Sequence, residues 1–189
     1  MEAHILWKGI EYESLENCLI DTTEEGTEIS STIVGQYAGK IYLIDYQIRT
    51  NAAWETLFVA IESRVNHQTQ HWQLEGDGQG NWRKNGKVCQ QFGGCIDVDI
   101  PLTPFTNTLP INRLKLAIGE TQLINVIYLD LLAEEFKPVQ QKYIRLKEEV
   151  YHYENVPNDF EAAITVDANG LVVNYPALFE RRALLGHRA

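Results

Sequence analysis

The residues best suited to chemistry are two carboxylates spaced two positions apart, Asp97 and Asp99, in the stretch CIDVD. In an extended strand, side chains two positions apart point to the same face, so these carboxylates should lie near each other. Their repulsion would raise the pKa of one and allow acid–base work, and the pair could also bind a hard cation or sugar hydroxyls. The alternative is a polar strand face or structural hydrogen bonds, because charged groups on a strand are usually solvated.

A short proline-bounded segment, residues 103–110, follows these carboxylates. Its two prolines fix φ, and its Thr and Asn side chains can hydrogen-bond the local backbone. Such a rigid connection can gather Asp97, Asp99, Asn107 and Arg113 around one polar point. We predict that Arg113 pairs with one of the carboxylates, either as a structural clamp or as an anchor for a ligand headgroup, since an unpaired buried charge is costly.

Aromatic side chains form the second set of candidates. They are rigid, large and amphipathic, so they can stack on a sugar ring or line a lipid cavity, and they can equally be plain core. The candidates are Trp54, Trp72, Trp82, Tyr128, Tyr143 and Tyr175. Together with Asp97, Asp99, Asn107 and Arg113, the predicted ligand-binding residues are Trp54, Trp82, Tyr143 and Tyr175.

Other motifs that could carry chemistry fit poorly. His67 and His71 lie four apart in a strand or turn pattern rather than on a helix, and Cys89 and Cys95 match no zinc-ligand spacing. No Lys-Ser/Thr pair follows the glycine-rich stretch 76–80, so it does not resemble a phosphate-binding loop. We therefore predict no metal site and no cofactor.

The composition indicates a globular protein whose negative charge disfavours binding to polyanions. The net charge of −10 repels phosphate backbones and anionic lipid headgroups, which argues against nucleic-acid partners. No apolar run approaches the roughly 18 residues needed to cross a bilayer, so we expect no membrane insertion. Three cysteines do not make a disulfide framework, and the N-terminus lacks a signal-peptide pattern, so a cytoplasmic location is expected.

Strand patterns dominate the elements that must position these residues. Residues 41–50 alternate, and 32–37 precede them across a tight turn, which predicts a hairpin. Further strands are predicted at 57–65, 69–75, around the Asn85-Gly86 turn, and in a hairpin over 162–166 and 171–175. Residues 123–132 are apolar on both faces and predict a fully buried strand.

Two segments carry less regular patterns. Residues 139–153 show apolar side chains at helical spacing as well as a strand face, and we favour strand. Residues 177–185 are rich in helix formers and predict a short C-terminal helix. The sequence therefore predicts one mainly β domain over residues 1–189, a large curved antiparallel sheet forming a barrel or half-barrel, with a short helical tail.

The central stretches GCIDVDI (94–100) and TPFTNTLPINRL (103–114) resemble the signature of the putative glycolipid-binding family of bacterial proteins. Shorter stretches agree in order: DGQGNW (77–82), QKY (141–143), VDANGLV (166–172) and Tyr175-Pro176. Asn112 departs from the second basic residue that the resemblance would place beside Arg113. The resemblance implies a curved antiparallel sheet similar to the Lol lipoprotein carriers, and a glycolipid ligand that the family name itself infers from that similarity.

The predicted function is binding of a glycolipid or another amphiphile in the cavity of the curved sheet. The alternative is an enzyme of unknown reaction acting on a small or glycosylated substrate, with Asp97 and Asp99 as its carboxylates. A third hypothesis is an interaction protein without a small ligand, which an exposed apolar patch of a few hundred Å² would support. Nothing in the sequence indicates an oligomeric state.

Overall fold

A computed structural model describes residues 1–187, and all fifteen strands in them belong to one curved sheet. The first eight strands form an antiparallel meander in chain order. Their bounds are β1 Glu2–Gly9, β2 Ser14–Thr22, β3 Thr27–Tyr37, β4 Lys40–Thr50, β5 Thr56–Val65, β6 Gln68–Gly76, β7 Trp82–Lys84 and β8 Lys87–Val88.

The chain then crosses the interior of the curve through residues 89–118, which we call the crossing segment. It contains a 3₁₀ turn at Gln90–Phe92, strand β9 at Asp97–Asp99, a second 3₁₀ turn at Phe105–Asn107 and helix α1 at Thr108–Leu114. Its side chains Phe92, Ile100, Phe105 and Leu109 are buried in one core with the inward residues of β1 to β6. The crossing segment thus fills the interior of the curve.

A second antiparallel meander returns the chain to β1. Its strands are β10 Thr121–Asp130, β11 Glu135–Lys147, β12 Val150–Val156, β13 Glu161–Val166, β14 Val172–Tyr175 and β15 Phe179–His187. Strand β15 pairs with β1, and β9 pairs with β10 in parallel, so the spatial order runs from β8 through β1 and β15 to β9. Among residues 1–187 no helix is both long and apolar enough to cross a membrane.

The mainly β prediction is confirmed, and so are the individual hairpins. In β4, Tyr42, Ile44, Tyr46 and Ile48 are all buried, as alternation requires. Asn85 and Gly86 both adopt positive φ, +49° and +77°, as a two-residue hairpin turn demands. Residues 139–147 lie in β11 and residues 150–153 in β12, so the strand prediction for this segment is confirmed apart from the two-residue turn between them.

The closed-barrel form of the prediction is wrong, because the sheet is unclosed and the half-barrel form holds. Strands β8 and β9 are the two edges. The crossing segment packs between the two ends of the sheet, so the interior is covered by side chains rather than by strand pairing. The edges are two and three residues long, and short edge strands limit pairing with other chains.

The predicted C-terminal helix is also wrong, because residues 179–187 form β15. Local helix propensity is a weak preference, and here it is overridden by pairing with all eight residues of β1, from Gly9 opposite Phe179 to Glu2 opposite His187, with one irregularity between Leu6 and Trp7. Without β15, strand β1 would expose an unpaired edge in the middle of the sheet. Burial of Phe179 adds to the preference for the strand.

The prediction of a fully buried strand at 123–132 requires a smaller correction. Strand β10 ends at Asp130, and its first half is exposed on one face, with Leu123 at 46% exposure. Both faces become buried only around Val126 and Ile127, where β9 pairs with β10 and the crossing segment covers the strand.

Candidate functional site

Strand β9 places the two predicted carboxylates on the inner side of the sheet. Asp97 lies opposite Val126 and Asp99 opposite Tyr128 of β10. The 3₁₀ turn and helix α1 that follow then fold back over β9. Pro104, with φ of −77°, precedes the 3₁₀ turn, and Pro110 lies in the first turn of α1, where its missing N–H costs no helical hydrogen bond. This return brings Asn107 and Arg113 close to the carboxylates, as the rigid connection predicts.

Arg113 is paired with Asp97 through two parallel hydrogen bonds. Its Nε donates to Oδ1 at 3.1 Å, and a terminal guanidinium nitrogen donates to Oδ2 at 2.6 Å. The Asp97 side chain is 1% exposed and that of Arg113 is 18% exposed. Burial raises the pKa of Asp97, while the hydrogen bonds and charge of Arg113 lower it. The pair has the geometry of a structural clamp.

Asp99 lies two residues away in a different environment. Its carboxylate accepts hydrogen bonds from the neutral side chains of Thr106, at 3.2 Å, and Gln141, at 2.6 Å. Burial raises the pKa of Asp99, and these two hydrogen bonds lower it. The side chain lines a cavity between the crossing segment and the second meander. Of the two carboxylates, Asp99 is therefore the one that a ligand could reach.

Six aromatic residues contribute to the lining of this cavity, which has a volume of about 170 Å³. The centroids of neighbouring rings lie 5.7 to 6.2 Å apart in five of these residues, so all of them except Tyr128 form one continuous aromatic wall. Polar atoms come from Asp99, Thr103, Asn107 and Asn155, and Glu11 lies at the rim with Leu178. The aromatic residues are Tyr12, Tyr128, Tyr153, Phe160, Tyr175 and Phe179.

Three tyrosines of this wall have hydroxyls with no hydrogen-bond partner among the described residues: Tyr12, Tyr128 and Tyr175. Burial raises the pKa of each, and the nearby charge of Asp99 raises it further, so all three hydroxyls stay protonated at neutral pH. None of the three is a fully buried atom, so these hydroxyls face the open cavity rather than the packed interior. Three protonated donors beside one carboxylate are therefore suited to a polar ligand.

Asn107 and Tyr143 support one side of the cavity. The fully buried Tyr143 hydroxyl donates to Asn107 Oδ1 at 2.9 Å, and Asn107 Nδ2 donates to the carbonyl of Pro104 at 3.4 Å. Asn107 thus ties the crossing segment to β11 and satisfies a backbone group, as the turn-former pattern indicates.

We expect Asn107→Ala to lower the free energy of unfolding by about 1–3 kcal/mol, because it leaves the buried Tyr143 hydroxyl without an acceptor. Urea denaturation measures this change. Adding Tyr143→Phe to the variant removes the unpaired hydroxyl, so the double variant should be no less stable than Asn107→Ala. Equal midpoints for Asn107→Ala and the unaltered protein would contradict the role assigned to this bond.

The remaining predicted residues lie away from the cavity. Trp82 is buried in the core of the first meander, where its indole N–H donates to the carbonyl of Cys95 at 2.7 Å. Trp54 is partly buried against the same core, in a turn with φ of +64°. Of the eight predicted residues, the structure thus brings Asp99, Asn107 and Tyr175 to the cavity, with Tyr143 behind Asn107.

A second buried carboxylate, Glu16 on β2, is absent from the sequence prediction. The hydroxyls of Ser31, Tyr46 and Thr103 all donate to its Oε1, at 2.7, 2.6 and 2.8 Å. Its Oε2 is buried and has no partner within residues 1–187. Burial raises the pKa of Glu16 to about 7, against the lowering effect of these hydrogen bonds. Because Thr103 also lines the cavity, Glu16 lies directly behind the cavity wall.

Comparison with known proteins gives two matches. Residues 4–181 match a family described as Putative glycolipid-binding, a range that includes every residue lining the cavity. The structure is similar to the crystal structure of a DUF1089 family protein from Pseudomonas aeruginosa, with a TM-score of 0.79 and 33% sequence identity over 88% of this chain and 91% of that chain. Among curated proteins, none matches the chain.

Proposed function

The chain belongs to the family described as Putative glycolipid-binding, and on that basis we propose that it binds an amphiphile whose polar headgroup enters the tyrosine-lined cavity. The observation that carries this proposal is the set of three hydroxyls beside Asp99, those of Tyr12, Tyr128 and Tyr175, that have no hydrogen-bond partner within residues 1–187. Ligand sites typically combine an apolar, aromatic wall with a few convergent polar groups, and this cavity has both.

The volume of the cavity limits what it can enclose. A cavity of about 150 Å³ accommodates benzene, so about 170 Å³ suits one ring-sized group such as a single sugar or a small headgroup. Sites that enclose whole drug-sized ligands are larger, about 300–1,000 Å³. The cavity therefore selects the headgroup, and the acyl chain of the ligand lies outside it.

The enzymatic alternative needs both Asp97 and Asp99 at one substrate. Asp97 is held by Arg113 and does not line the cavity, whereas Asp99 does. A pair of carboxylates acting together as acid and base is therefore less well supported than a single carboxylate in a binding site. The same contrast supports a structural clamp for Asp97 with Arg113 and contact with a ligand for Asp99.

We include the whole chain, residues 1–189, in one binding domain, since the family match extends from residue 4 to residue 181 and the strands form one sheet. Cys18, Cys89 and Cys95 are free, which supports the proposed cytoplasmic location because thiols stay reduced there.

The direct test is to incubate the protein with a bacterial total lipid extract, remove free lipid, and record native mass spectra. We expect one amphiphile per chain to remain bound and to be identified after release. The proposal fails if no amphiphile is retained by protein that is correctly folded by circular dichroism.

We expect Tyr175→Phe to weaken binding of the captured amphiphile about 2- to 12-fold, because it removes one hydrogen-bond donor worth about 0.5–1.5 kcal/mol and leaves the ring in place. Tyr151→Phe is the matched control, since Tyr151 is also a buried tyrosine of the second meander but does not line the cavity. Titration monitored by intrinsic fluorescence gives both affinities. Equal affinities for the two variants would contradict the assigned role of Tyr175.

A further inference from the structure

The two carboxylates of β9 differ in one respect that the proposed function leaves unexplained. Asp97 has a counter-cation, Arg113, at 2.6 Å, whereas Asp99 has only the neutral donors Thr106 and Gln141. No ion pair to Asp99 is present within the described part of the chain, and no basic side chain lines its cavity. Asp99 is partly buried, and a carboxylate that is largely removed from water normally has a positive partner or a metal, because burial of an isolated charge is expensive.

The rest of the cavity wall also suits a cation. Tyr12 and Phe179 stack at 5.7 Å, and Tyr153, Phe160 and Tyr175 lie about 6 Å from one another. The faces of such rings carry partial negative charge and attract cations within about 6 Å, and sets of aromatic rings around a cavity recognise ammonium groups. The rim adds a second carboxylate, Glu11, and the chain as a whole carries a charge of −10.

We propose that the headgroup bound in this cavity carries a positively charged nitrogen, which Asp99 neutralises and the rings of Tyr12, Tyr153 and Tyr175 surround. The proposal rests on the proposed binding function and narrows its ligand class from polar headgroups in general to ammonium-bearing ones. An amino sugar and an alkylammonium headgroup share this chemistry, and either is about the size of the ring-sized group that the cavity accommodates.

A neutral headgroup would leave Asp99 without a counter-cation. If Asp99 stayed ionised, its charge would remain uncompensated inside a low-dielectric wall, which weakens any complex. The ammonium instead replaces the missing counter-cation, as Arg113 does for Asp97. The unpartnered tyrosine hydroxyls remain available to hydroxyl groups of the same headgroup.

The test compares charged probes with neutral probes of the same shape by isothermal titration calorimetry. Choline is compared with 3,3-dimethylbutan-1-ol, and glucosamine with glucose, so the two pairs separate an alkylammonium source from an amino-sugar source. We expect the charged member of at least one pair to bind about 10- to 30-fold more tightly, as a desolvated cation–π contact of about 2 kcal/mol implies.

Asp99→Asn should weaken binding of the charged probe more than that of the neutral probe and so reduce this preference. Glu28→Gln should keep the preference, because Glu28 is an exposed carboxylate on the outer face of β3 and its replacement makes the same change in net charge. Should Asp99→Asn fail to fold, Tyr12→Leu provides a second variant that removes one ring and should weaken the charged probe more than the neutral one.

Equal or tighter binding of the neutral probe in the unaltered protein overturns the ammonium proposal but leaves the proposed function standing, provided that an amphiphile is captured from the lipid extract. Failure to capture any amphiphile overturns the proposed function itself. A preference for the charged probe that is undiminished in Asp99→Asn overturns the role of Asp99 as the counter-ion.

Discussion

Arg113→Ala is expected to lower the free energy of unfolding by about 3–5 kcal/mol, because it leaves the carboxylate of Asp97 buried without its counter-cation. That is a large share of the roughly 5–15 kcal/mol by which domains are typically stable. The Asp97 side chain is 1% exposed, so in the unaltered protein its carboxylate is compensated by Arg113 rather than by water. Urea denaturation of the variant and the unaltered protein measures the difference.

The control is Arg182→Ala, which breaks a pair between Arg182 and Glu180 whose side chains are 51% and 47% exposed. Exposed pairs contribute about 0–1 kcal/mol, so this change should have little effect. The double variant Asp97→Asn with Arg113→Met removes both charges and should recover part of the stability. A loss below about 1 kcal/mol for Arg113→Ala would show that the pair is not a clamp.

The pH dependence of the same variant provides an independent check. Burial already raises the pKa of Asp97, and removal of the Arg113 charge removes what lowers it. A folded-state pKa above the unfolded value gives stability that is present at low pH and lost as pH rises. The deficit of Arg113→Ala should therefore be smaller at pH 5 than at pH 8, because a proton can neutralise Asp97 where the guanidinium no longer does.

This pairing illustrates what the sequence can predict. Asp97, Asp99 and Arg113 lie within 17 positions of chain around a proline-bounded segment, and the cost of an unpaired buried charge makes a pair between them a strong expectation. Strands such as β4 are equally predictable, because apolar and polar residues alternate along the sequence and the same alternate residues are buried in the sheet. Both predictions depend only on the spacing of nearby residues and on whether a charged or apolar side chain is stable in the buried interior.

The cavity depends on the tertiary structure instead. Tyr12 lies in the turn between β1 and β2, Tyr128 in β10, Tyr153 in β12 and Tyr175 in β14, so its wall joins residues more than 160 positions apart. Alternation shows which face of a strand a tyrosine occupies, but it does not show where the packed interior leaves space. Trp54 and Trp82 have the same residue chemistry and lie in or against the filled core.

The C-terminal tail shows the same limit for secondary structure. Residues 177–185 favour helix by local propensity, yet pairing with β1 forms β15 because β1 would otherwise present an unpaired edge. The burial of Glu16 could not be predicted for a related reason. Its partners Ser31, Tyr46 and Thr103 come from three other parts of the chain: β3, β4 and the crossing segment. Nothing in the local sequence around Glu16 distinguishes it from an exposed glutamate.

Glu16 is expected to make the protein less stable as pH rises from 5 to 8. Its pKa is about 7 in the folded state, against a usual value of 4.5. Since the folded state holds the proton more tightly, the stabilisation is fully present below about pH 4.5 and is lost as pH rises through about 7. Between pH 5 and pH 8 the loss amounts to about 2–3 kcal/mol, because one pKa unit corresponds to about 1.4 kcal/mol.

The measurement is the free energy of unfolding at several pH values for the unaltered protein, Glu16→Gln and Glu28→Gln. Asp97 and Asp99 also have raised pKa values and add to the slope in all three proteins, so the difference between proteins isolates Glu16. Glu16→Gln keeps the shape and the oxygen that accepts from Ser31, Tyr46 and Thr103, but it cannot ionise, so its slope should be shallower by about 2–3 kcal/mol over this range. Glu28→Gln should keep the full slope because Glu28 is exposed. If the free energy of unfolding depends on pH in the same way for Glu16→Gln and the unaltered protein, the buried carboxyl of Glu16 does not titrate near neutral pH. That outcome would contradict the raised pKa assigned to Glu16.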